Sequence, residues 1–226
     1  MISRDPRETH ALPFSDEERA AVYRAIEERR DVRAHFVSDP VPDDVLLRVL
    51  GAAHHAPSVG FSQPWRFIVV RERARREAVH ALFERANADA AAAYDDERGA
   101  AYRKLRLAGI LDAPVNLCVV CDEDPARGAG LGRRTMPETA RYSTVCAIQN
   151  LWLAARAEGL GVGWVSIVEP ADLRELFAIP SRYAVVAYLC LGYVAEFAPE
   201  PDLERAAWEH RLPLRDVIDY ERFNAP

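Results

Sequence analysis

Residues 138–168 read "ETARYSTVCAIQNLWLAARAEGLGVGWVSIV". The first twenty-one positions hold no proline or glycine and carry Ala, Leu, Val, Ile and Trp on most of their faces. That pattern predicts a helix buried at the centre of the domain. Gly159 suits the left-handed position that closes a helix, and "VGWVSIV" (162–168) predicts a buried strand straight after it.

Upstream, "WRFIVV" (65–70) and "VNLCVVC" (115–121) read as short buried strands. Two helical stretches lie between them, at 72–93 and 99–111. Downstream, "EPADLRELFAI" (169–179) predicts a short helix with Pro170 at its start, and "AVVAYLCLGYV" (184–194) a last strand. Two helices precede the first strand. The first, "FSDEERAAVYRAIEERR" (14–30), opens on the capping box Ser15/Glu18, with acidic residues in its first turn and arginines in its last. The second runs through "VLLRVLGAAHH" (45–55) and stops by Pro57. The expected class is α+β, a three-layer α/β/α sandwich with a mixed central sheet, forming one domain over residues 1–226. Two leading helices exclude a Rossmann start. The glycine run "GAGLG" (128–132) neither follows a strand nor opens a helix, so it reads as part of a mobile lid over 122–137 rather than a phosphate cradle.

The 226 residues are 50% hydrophobic and 28% charged, with a formal net charge of −6. An acidic chain lacks the broad basic footprint of a nucleic-acid binder. The longest apolar run, Tyr183–Val194, is too short to span a bilayer, and "MISRDPRETHALPFS" has no apolar leader core. A cytoplasmic protein is expected, with Cys118, Cys121, Cys146 and Cys190 as buried reduced thiols. Cys118 and Cys121 lie three apart on a strand and point to opposite faces, which disfavours joint metal ligation. No metal site is expected; His54 and His55, at a helix end, read as exposed or capping residues.

In such a chain "ERRDVRAHF" (28–36) stands out, with Arg29, Arg30 and Arg33 around a single carboxylate, Asp31. Two readings compete. Asp31 balances a buried arginine internally, or the guanidinium groups await a bound phosphate. A second unusual stretch, "APSVGFSQPWRF" (56–67), bends at Pro57, Gly60 and Pro64 just before a strand and brings Ser58 and Gln63 to its entry.

Taken together, "RRDVR", "APSVGFSQPW" and "IQNLWLAARAEGLGVGWVSI" resemble, in order over roughly residues 15–195, the FMN-dependent nitroreductase superfamily. The resemblance implies a homodimer with FMN at the subunit interface, and a role for the apolar-rich tail: residues 195–226, with Trp208, Leu212, Leu214, Val217, Ile218, Tyr220 and Phe223, would form an arm on the partner subunit. It implies that Arg29, Arg30, Asp31, Val32 and Arg33 lie along the phosphate, ribityl chain and pyrimidine edge. Ser58, Gly60 and Leu107 would line the ring, Ser166 would approach its reactive face, and Arg211 would add a phosphate contact.

Three departures narrow the resemblance. Asp31 replaces a small hydroxyl residue, Phe61 replaces an asparagine, and Ser166 supplies a hydroxyl that many relatives lack. They are similar to the branch in which reduced FMN is a substrate, fragmented with dioxygen to 5,6-dimethylbenzimidazole and erythrose 4-phosphate. That branch implies Asp31 and Ser166 as catalytic residues and a separate NAD(P)H-dependent reductase supplying FMNH2. The alternatives are an NAD(P)H-dependent nitroreductase that recycles its flavin, and a non-catalytic flavin carrier.

Overall fold

The computed structural model describes residues 13–223. Most of the N-terminal stretch expected to lack a leader lies outside them, as do the last three residues of the arm. Helix α1 (Asp16–Glu28) starts at Ser15, and both halves of the capping box form, Ser15 Oγ with the Glu18 amide and Glu18 with the Ser15 amide. The expected arginines miss its last turn: the helix ends at Glu28, and Arg29 already has extended backbone. Helix α2 (Asp43–His54) opens on two acidic residues, Asp43 and Asp44, and buries Val45, Leu46, Val49 and Ala53 on one face.

The sheet contains β1 (Trp65–Val70), β2 (Val115–Asp122), β3 (Leu160–Val165) and β4 (Tyr183–Tyr193), in the order β1-β2-β4-β3. Every pairing of these strands is antiparallel. The parallel component expected of a mixed sheet is confined to one isolated bridge, Asp31 to Val162; the α+β class is unaffected. β3 begins two residues earlier than its sequence pattern suggests because Leu160 pairs with Tyr193, and it ends before Ser166.

Helices cover both faces. On one, α2 and α5 (Thr139–Ala157) pack Val49, Ile148, Leu151 and Trp152 onto Leu117, Val162 and Leu189. On the other, α3 (Arg73–Ala92) and α6 (Pro170–Leu176) pack Val79, Phe83 and Leu173 onto Cys118, Val120 and Tyr188. Helix α4 (Asp96–Tyr102) replaces the helix expected over 99–111: it starts earlier and stops at Tyr102, and the chain beyond it runs close to Phe36 at Gly109. Among the described residues no helix is long and apolar enough to cross a membrane.

Helix α5 closes at Gly159, φ 77°, as expected. It is not buried all round: Tyr142, Val145 and Cys146 are exposed on its outer face. Cys146 therefore departs from the expected set of buried thiols. Cys118 and Cys121 do face opposite ways, the first into the α3/α6 core and the second toward Thr144 of α5. Burial pushes the Cys118 thiol up to about 12, so it stays protonated and inert at neutral pH.

Residues 122–137 carry contacts within the segment and to the turn at Gly60. Arg133 bonds the Pro125 carbonyl and Asp124, and Gly128 sits so close to the Gly60 carbonyl that no side chain would fit.

The arm has two parts. Its first part is tied to its own chain: the Ala195 amide donates to the His35 carbonyl, and Phe197 lies under the Arg156 guanidinium. After α7 (Asp202–Arg205), Trp208 packs on Tyr94 and Tyr102 with Arg98 over its ring. Trp208 is thus an intrachain anchor. Leu212, Leu214, Val217, Ile218, Tyr220 and Phe223 are all exposed.

Candidate active site

Past α1 the chain turns alongside β3. The Val32 amide donates to the Val162 carbonyl at 2.9 Å, giving β3 a short extra neighbour at its edge. So close an approach needs glycine on the strand. A Cβ at Gly163 would run into the Val32 carbonyl oxygen, and one at Gly161 would press on the side chains of Val32 and Val194.

This bridge sets Asp31. Its Oδ1 accepts the Trp164 amide proton at 2.9 Å, and its Oδ2 pairs with Arg33 Nη2 at 2.6 Å. The Arg33 side chain is only 15% exposed and that of Asp31 31%, so the carboxylate is half-buried, charge-balanced and held in one orientation. The internal-balance reading therefore holds for Arg33. It does not hold for Arg29, whose guanidinium lies 5.0 Å over the Trp152 ring. Burial lowers the Arg29 pKa against the pull of Asp31, and Arg211 and Arg30 add like charge. The Nε atoms of Arg29 and Arg33 are buried without an acceptor among the described residues. Two such donors beside an exposed Arg211 suit a small anion with several oxygens.

Arg30 behaves differently. Its side chain donates to the carbonyls of Ala198, Glu27, Arg29 and Pro199. Four of its five N–H groups are committed to its own backbone, which makes it a tether for the arm.

The second station is the turn before β1. Ser58 Oγ accepts the Gln63 amide, and the Val59 amide donates to Ser143 Oγ on α5. Gly60 has φ 55° and Phe61 φ 52°, and the Phe61 ring is exposed. Trp152 bonds the Arg30 carbonyl nine residues further along α5. At 1.5 Å per residue the turn and the arginines stand about 14 Å apart along that helix. One chain thus groups Arg29, Asp31, Val32, Arg33 and Arg211, and keeps Ser58 and Gly60 separate. Ser166 is exposed two residues beyond Trp164 and lines a cavity of about 500 Å³ with Arg85, Asp89 and Asp172. Leu107, half-buried on the α3/α6 core, lines another of about 340 Å³. His55 Nδ1 contacts the Gly51 carbonyl and His54 Nδ1 meets Trp65 Nε1; no metal-binding cluster occurs among the described residues.

Three further contributors are not among the candidate site residues read from the sequence: the Trp164 amide holds Asp31, the Trp152 indole holds the Arg30 carbonyl, and Gly163 lets Val32 lie against the strand. The alternation in "GVGW" is a sequence signal for close backbone approach. Nothing local marks Trp152.

The model of the nitroreductase family matches residues 26–193. A 5,6-dimethylbenzimidazole synthase of Rhodospirillum rubrum is 51% identical over 82% of this chain and 87% of its own. Another from Rhodobacter capsulatus is 45% identical over 89% and 97%. The crystal structure of an iodotyrosine deiodinase bound to FMN and 3-iodo-L-tyrosine superposes with a TM-score of 0.72 at 21% identity, covering 89% of this chain and all of that one, a likeness of fold. The arginine segment lodged against a glycine-bearing strand lies inside the matched residues, and the chain belongs to the nitroreductase family.

Proposed function

We propose that this protein is a 5,6-dimethylbenzimidazole synthase that consumes reduced FMN as a substrate, with dioxygen as co-substrate. The observation that carries the reading is Asp31, a carboxylate fixed by the Trp164 amide and Arg33 in the middle of an anion-seeking arginine segment. Arg33 balances its charge, and its fixed orientation among the arginines places a carboxylate where it can act as a base. The two relatives named as this synthase support the same reading.

The residues fit the phosphate end of FMN: Arg29 and Arg33 offer buried, unpaired Nε donors, and Arg211 stands beside Arg29. Reduced FMN supplies the electrons that activate dioxygen and the carbon skeleton that becomes the benzimidazole and erythrose 4-phosphate. Asp31 takes a proton from the ribityl carbon next to the ring, as a general base. Arg33 keeps the Asp31 carboxylate oriented. Ser166, exposed beyond β3, donates a hydrogen bond that orients the reacting face.

The working form is a homodimer in which a second copy supplies the turn of Ser58 and Gly60, set apart from the arginines within one chain. Its contact uses the exposed apolar residues of the arm from Leu212 to Phe223 and the outer face of α5. FMNH2 comes from a separate NAD(P)H-dependent flavin reductase, and the setting is the cytoplasm, consistent with four unpaired cysteines. The test is mass analysis of flavin after aerobic incubation with such a reductase. A benzimidazole product is expected; intact FMN would instead favour a recycling nitroreductase or a carrier.

A further inference from the structure

Trp152 lies on the sheet-facing side of α5 and is 7% exposed. A core tryptophan needs only packing, but this one makes three directed contacts. Its indole Nε1 donates to the Arg30 carbonyl at 3.0 Å. Its ring carries the Arg29 guanidinium at 5.0 Å. Its ring lies tilted against that of Trp164, centroids 6.5 Å apart with the planes at 37°, and the Trp164 amide holds Asp31.

The first contact holds the Arg30 carbonyl, one residue beyond Arg29, and the second carries the Arg29 side chain itself. A guanidinium on an aromatic face keeps its in-plane N–H groups free for an anion, and Arg29 Nε remains buried and without an acceptor among the described residues. Phenylalanine would provide a π face without the N–H, and a histidine or glutamine the N–H without the broad face; tryptophan provides both.

Resting on the flavin reading above, we infer that Trp152 is the positioning residue of the phosphate end, aiming Arg29 at the ligand without touching the reacting atoms. Reduced FMN and reduced riboflavin, which lacks the phosphate, separate this role from plain packing. Both are titrated anaerobically into the full-length protein, and the ratio of their affinities is the readout.

Parent protein should prefer FMN. Trp152→Leu should lower FMN affinity about tenfold, as expected for losing a desolvated cation–π contact, and leave riboflavin affinity unchanged. Trp152→Phe keeps a ring under Arg29 but frees the Arg30 carbonyl, and should lower the ratio by a smaller factor. Thermal melting of each variant reports packing. If Trp152→Leu does not fold, Trp152→Phe decides alone: a parental ratio in it overturns the inference. So does a parental ratio in folded Trp152→Leu, or an equal loss of both affinities. A parent that binds FMN and riboflavin equally would instead sink the assignment of the arginines to phosphate.

Discussion

The arginine segment at 29–33 and the arm at 195–223 are both irregular, and they are unfinished in opposite ways. In the first, Asp31 is engaged by the Trp164 amide and Arg33, while the buried Nε atoms of Arg29 and Arg33 have no acceptor among the described residues. In the second, the backbone near Ala198 is tied down, while six large apolar side chains from Leu212 to Phe223 are bare. Unpaired buried donors call for an anion; exposed apolar clusters call for another surface. On the reading proposed above, the first region would take the ligand and the second the partner.

The largest effect is expected at Asp31. In Asp31→Asn the amide oxygen still accepts the Trp164 N–H, but proton affinity is lost. Benzimidazole formation should fall by about 10²–10⁴-fold, FMNH2 binding should survive or tighten, and FMN should be recovered intact. Parental product yield from this variant would reduce Asp31 to a counterion for Arg33.

The arm should respond in assembly. Replacing Leu214 and Ile218 with aspartate removes two apolar contacts of roughly 1.5–3 kcal/mol each, so subunit association should weaken by about 100-fold or more. Light scattering at micromolar concentration checks this. A parent protein that is already a monodisperse monomer would break the comparison outright.

Arg29→Ala should leave assembly intact and weaken FMNH2 affinity by about 10- to 100-fold, the loss of a charge-assisted hydrogen bond of roughly 1.5–3 kcal/mol. Unchanged affinity in an anaerobic titration would leave the ligand end without its cation.

The smallest effect is at Gly163. An alanine there must push Val32 off the strand edge, costing about 1–3 kcal/mol and lowering the melting temperature by about 2–4 °C per kcal/mol. A parental melting temperature would mean that Val32 and Asp31 are less tightly seated than their contacts with β3 imply.

Much of the frame was legible because its signals are local. The capping box at Ser15 and Glu18, the strand Trp65–Val70 and the stop at Gly159 all sit where short-range pattern places them. Asp31 stands out by charge, as the one carboxylate among three arginines, whereas Ser166 stands out only as a departure from a family pattern. What stayed hidden depends on distant partners. Antiparallel pairing throughout the sheet follows from which strands meet, which helix-linked strands do not reveal. Helix α4 stops at Tyr102 although residues 103–111 carry no strong helix breaker before Gly109, because the chain there serves the Phe36 contact. Arg30 looked like its neighbours, but its partners are the carbonyls of Ala198 and Pro199.

That same tether sets an order of events during folding. Arg30 meets the Ala198 carbonyl across 168 residues of sequence, so it cannot close until almost the whole chain has been synthesised. The sheet is complete at Tyr193, before the tether's acceptors emerge. The arginine segment therefore keeps one tie open after the sheet is complete, and a nascent chain with a finished sheet still lacks it.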